Sequence, residues 1–276
     1  MPEGRMGEAK TRARQRERDR LAGRLPENFR HLHEGELAIR AQAIAAIEGD
    51  PEMMDHVELL EAVMDFLEFF AKRKPTDLDQ ETVLLLGGRM FNDLAAAFGM
   101  LMGGYYQIAA AIQRDVMEIV FLLGMFDRDR SKIKEWRESD RKARMRTFQP
   151  GKVRSFLDTY DGFTGGKRDD LYQMFCEYAA HATWGGFALM GPSHKPTIGP
   201  FFDRSLMKAV TVELAQLAAQ AGNNFAGFVD GRDVPALETK LHRLETTTLW
   251  AERYFGRKAD SKGIGKLKRM LAEIKN

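Results

Sequence analysis

Arg114, Asp115 and Glu118 stand in the most apolar stretch of the chain, the run from about Tyr105 to Phe126. Arg114 and Glu118 are four residues apart, a spacing that puts both on one side of a helix. An unpaired charge turned inward there would cost several kcal/mol, so the two must find partners. Two kinds of use follow. In one, they form an internal ion pair that fixes helix register. In the other, they line a pocket in which Arg114 grips an oxyanion such as a phosphate, Glu118 orients it, and His181 or Tyr178 moves a proton. A guanidinium binds oxyanions bidentately, and an imidazole titrates near neutral pH. The candidate catalytic set is therefore Arg114, Glu118, His181 and Tyr178.

A different chemistry is suggested by residues 128–154, where eleven Lys and Arg stand against four Asp and Glu. Trp136 and Phe148 are interleaved with the cations, so a phosphate backbone can lie on the charges while a base stacks on a ring. Arg137, Arg141, Arg144, Lys152 and Arg154 are the candidate polyanion contacts, with a solvated surface as the plain alternative. Glu177 with His181, and Glu238 with His242, repeat a four-residue spacing. Bundle metal sites use Glu-x-x-His, one residue shorter, so no metal site and no cofactor is assigned. Cys176, the single cysteine, has no partner for a disulfide or a CxxC pair and reads as a core thiol. His194, in the proline-rich loop Gly191–Pro200, is placed to act in a lid, and Arg168, Tyr172 and the small residues around Trp184 to line the same opening. No P-loop, GxGxxG, HExxH or GxSxG motif is present.

The elements that must position these groups read as helices. Val57, Leu60, Met64, Leu67 and Ala71 recur at steps of three and four, as do Leu206, Val210, Leu214, Leu217, Ala221, Phe225 and Phe228. Thr76-Asp77 and Asp203 offer N-caps. Gly103-Gly104 marks a bend between two apolar helices. A charged helix is expected over about Ser131–Arg146, one starting at Asp169 and reaching past His181, and one over about Val234–Phe255. Strand alternation is scarce. The expected fold is all-α, a single multi-helix bundle of about eight to ten helices. Residues 1–24 form a basic arm, 25–255 the bundle, and 256–276 a basic amphipathic helix.

Charge supports that division. Residues 1–24 carry +4, residues 253–276 carry +6, and the remainder −8, against a net +2. An acidic body with basic ends suits association with a polyanion or with a second copy. Residues 94–113 carry no charge but contain three glycines and much alanine, too weak an apolar signal for a membrane span. The N-terminal sequence lacks the apolar run of a secretory signal, and a reducing, cytoplasmic compartment is expected.

The segments GYYQIAAAIQRDVMEIVFLLGMF, IKEWRESDRKARMRTFQPGKVRSFLD and LYQMFCEYAAHATWGGF, within roughly residues 85–190, resemble a group of uncharacterised bacterial all-helical proteins of the domain-of-unknown-function kind. More distantly they are similar to the helical HEPN nucleases of bacterial defence and toxin systems. That second resemblance implies metal-independent RNA cleavage by an Arg and a His. HEPN nucleases place the His four to six residues after the Arg on one helix, whereas here Arg168 lies thirteen residues before His181. Two functional expectations follow: a binding, scaffold or regulatory protein contacting a partner or polyanion, or an RNA- or nucleotide-directed hydrolase.

Overall fold

The computed structural model describes residues 11–12, 14–18, 23–191, 197–258 and 260–275. Among the described residues there is no strand. Among the described residues from 23 onward there are eleven α-helices, more than the eight to ten expected, with one π and one 3-10 turn. The first is α1 (Glu27–Glu48). Asp50 then caps α2 (Pro51–Ala71), its carboxylate accepting from the Glu52 and Met53 amides while Pro51 takes the first helical position. Asp77 does the same for α3 (Leu78–Met102), accepting from Gln80 N at 2.7 Å.

The bend between α3 and α4 (Tyr106–Arg128) falls at Gly103-Gly104. Gly104 has φ +79°, and a Cβ there would lie 2.4 Å from the Phe201 carbonyl oxygen. Only glycine allows both the left-handed turn and that approach. Three short helices follow: α5 (Ser131–Glu138), α6 (Arg141–Thr147) and α7 (Pro150–Asp161). Next comes α8 (Lys167–Phe175), then the π turn Cys176–Ala180 and the 3-10 turn Gly185–Leu189. Asp203 caps α9 (Arg204–Ala226), and Asp233 caps α10 (Val234–Phe255). The chain closes with α11 (Ser261–Lys275), which has no buried residue and lies against α10 through Lys268–Glu245 at 2.7 Å and Lys275–Glu238 at 2.8 Å.

Packing centres on α4, which lies against α3 and α9, while α2 lies against α9 and α10. Phe66, Phe70, Met90, Met117, Phe126, Leu214 and Phe225 belong to the main cluster. A second cluster joins Ala43 of α1, Met53 of α2, Leu101 of α3, Tyr106 of α4 and Met207 of α9. Full burial of side chains of this size contributes about 1.5–3 kcal/mol each, which is why the apolar stripes decide where the helices lie.

Two expected elements differ. The charged helix expected over Ser131–Arg146 is split in two, because the Asp140 carboxylate accepts from Ala143 N at 2.7 Å and starts α6 anew. The helix expected to carry His181 stops as an α-helix at Phe175, and after the π turn His181 itself has extended backbone, φ −109° and ψ 153°. The all-helical reading holds, and no described helix is long and apolar enough to cross a membrane.

Candidate functional site

Arg114 and Glu118 meet as their spacing requires. Arg114 Nη2 donates to Glu118 Oε1 at 2.9 Å and to the Tyr172 hydroxyl at 2.7 Å. Tyr172, on α8, is shared. The Arg114 guanidinium lies 5.0 Å from its ring centroid and that of Arg154, from α7, 3.8 Å. Arg154 in turn donates to Asp169 Oδ1 through Nε at 3.1 Å and Nη2 at 2.7 Å. Burial pulls the Arg114 pKa down, but Tyr172 and Glu118 outweigh it and the net shift is upward. This cluster ties α4, α7 and α8 together.

His181 and Tyr178 lie elsewhere. His181 is exposed in a recess of about 430 Å³ with Gln107, Trp184 and Met190, and Tyr178 is exposed on the π turn. Among the described residues no hydrogen bond or ion pair joins either side chain to Arg114 or Glu118. Because the helix ends before His181, Glu177 and His181 do not share a helical face. Glu238 is engaged by Lys275. Among the described residues no group of three or more His, Cys, Asp or Glu is placed to hold a metal ion. Cys176 is buried, and His194 lies outside the described residues.

The basic stretch divides sharply. Arg128 holds Asp161 through Nε at 2.8 Å and Nη2 at 2.9 Å, with Nη1 on the Gly124 carbonyl. Arg168 bridges Asp158 and the same Asp161. Arg137 donates to Asp79 at 2.5 Å and to Thr82 Oγ1 at 3.2 Å. Arg154 is buried under its contacts with Asp169 and Tyr172. Of the five expected polyanion contacts, Arg137 and Arg154 are thus committed to internal partners: each reaches an acid on a neighbouring element. Arg141, Arg144 and Lys152 are exposed, as are Lys142 and Arg146. Among the described residues none of these five side chains has a carboxylate partner.

Beside this face, between α3, α4 and the α5–α7 segment, is a recess of about 200 Å³. Its walls include Trp136, Phe148 and Pro150, and its polar edge is Arg89, Asp115 and Glu118. Arg89 clasps Asp115 through Nε at 3.0 Å and Nη2 at 2.7 Å. Asp93, one turn on from Arg89, has its Oδ2 buried without a donor among the described residues, 3.8 Å from Arg89 Nε. Burial first, and the neighbouring Asp115 second, push its pKa up to about 7. Neither Arg89 nor Asp93 is among the residues singled out from the sequence. A usable signal was there: on two helices folded back at Gly103-Gly104, positions at similar distances from the bend are neighbours, which brings Arg89 near Asp115. Comparison of the chain with protein-family models, curated proteins and solved structures finds no match.

Proposed function

We propose that this chain is a binding protein, a single helical bundle that seats a polyanion, the phosphate backbone of a single-stranded nucleic acid, on α6 and the first turn of α7. The observation that carries this reading is the set Arg141, Lys142, Arg144, Arg146 and Lys152, exposed and, among the described residues, without carboxylate partners, beside Arg128, Arg137, Arg154 and Arg168, each held by an acid. Solvated cations concentrated in twelve residues give up little when a phosphate arrives, and each contact releases a condensed counterion. A hydrolase has less support, since His181 and Tyr178 are not placed to act with Arg114 and Glu118.

Fluorescence anisotropy with labelled decauridylate tests this. Binding is expected to weaken with salt, with a log–log slope of roughly −2 to −3.5 for three to five phosphate contacts. The variant Arg141→Glu/Arg144→Glu/Lys152→Glu is expected to bind at least about tenfold more weakly. Absence of binding at about 50 mM salt, or unchanged affinity in the triple variant, sinks the reading.

A further inference from the structure

Resting on that reading, we propose that the recess beside α6 takes one nucleobase, guanine by preference, from the strand whose phosphates lie on Arg141, Arg144 and Lys152. Position comes first. Phe148 follows α6 directly and Pro150 opens α7 two residues before Lys152, and both border the recess. A strand on the basic face therefore lies within a few residues of its walls.

Size and walls agree. A cavity of about 150 Å³ holds a benzene ring, and drug-sized ligands need about 300 Å³ or more, so about 200 Å³ suits one planar ring system. Trp136 and Phe148 supply aromatic surface for stacking, which any base can use.

The polar edge selects. Both Asp115 oxygens are occupied by Arg89. Glu118 gives only Oε1 to Arg114, and among the described residues its Oε2 accepts no hydrogen bond, leaving a half-used carboxylate at the edge of the recess. Arg89 keeps Nη1 outside its contact with Asp115 and is 59% exposed. A carboxylate acceptor with a guanidinium donor nearby matches the guanine edge, whose N1–H and N2–H donate side by side next to the O6 acceptor. Adenine, cytosine and uracil each place an acceptor where guanine has one of those donors, and an acceptor facing a carboxylate is repelled.

The test uses the full chain and four decamers: decauridylate, and the same strand with one central guanosine, inosine or adenosine. Guanosine is expected to tighten binding about tenfold, the scale of one bidentate base contact. Inosine, which lacks the 2-amino group, is expected to gain less, and adenosine nothing. In Glu118→Gln, checked for helical content by circular dichroism, the guanosine advantage is expected to fall to about twofold or less. The inosine strand probes the same contact without altering the protein, so a misfolded variant does not protect the proposal. If all four strands bind wild type equally, the base pocket is wrong and the polyanion reading stands. If none binds, the polyanion reading fails and the pocket falls with it.

Discussion

Asp93 of α3 faces Asp115 of α4, and its orphaned Oδ2 is satisfied once it carries a proton and donates to Asp115. With the folded pKa near 7 and a reference value of 3.8, the folded chain holds a proton that the unfolded chain has already released between those limits. The stabilisation is therefore full below about pH 4 and is lost as pH rises through about 7. Asp93→Asn keeps a donor towards Asp115 and removes the titration. It is expected to be more stable than wild type at about pH 8 by on the order of 2 kcal/mol, discounting for partial exposure, with the difference shrinking as pH falls and vanishing near pH 4. Urea unfolding at both pH values checks this, and equal stability at pH 8 removes Asp93 from the account. At this scale the pairing of Arg114 with Glu118 was legible, because four-residue spacing is geometric. The separation of His181 was not, because it hangs on a π turn at Cys176–Ala180 that leaves no mark in apolar periodicity.

The crossing of α3 over α9 depends on Gly87. A Cβ there would lie 2.5 Å from Phe225 Cε2, and Phe225 is fully buried, so its ring has nowhere to go. Gly99, on the same helix, has nothing within 4 Å of its would-be Cβ. Gly87→Ala is expected to destabilise by about 1–3 kcal/mol through overpacking, outweighing the helix-propensity gain of about 1 kcal/mol that Gly99→Ala should show undiluted. Opposite shifts in melting temperature confirm the pair, and a stabilising Gly87→Ala contradicts the close crossing. Helix identities were readable for the reason that helix ends are local: Asp77, Asp203 and the Gly103-Gly104 bend act on amides or dihedrals within a few residues. The break at Ser139-Asp140 was hidden because the charged residues on both sides continue one composition. Which glycine faces a neighbouring helix is a tertiary fact, invisible to propensity.

Across the whole molecule, burial is uneven in a way that bears on binding. The middle of α4 and α9 is buried along most of its length, whereas α1 buries only Ala43, Ala46 and Ile47 near its end and α11 buries nothing. The α5–α7 segment is anchored by Ile133, Val153, Arg154 and Leu157, with α6 between them contributing no buried residue. Regions with few buried contacts open at low free energy, while core helices open only with global unfolding. Amides of α6, α11 and the first half of α1 are therefore expected to exchange at least about a hundredfold faster than those of α4 and α9. A ligand seated on Arg141, Arg144 and Lys152 binds the closed form of α6 and not the open one, so saturating decauridylate is expected to slow exchange in α6 by mass action while leaving α11 unchanged. Peptide-level hydrogen exchange with and without the strand separates the cases. Slowing confined to α6 and the start of α7 places the strand on that face, and equal slowing in α11 means that the C-terminal cations share the load.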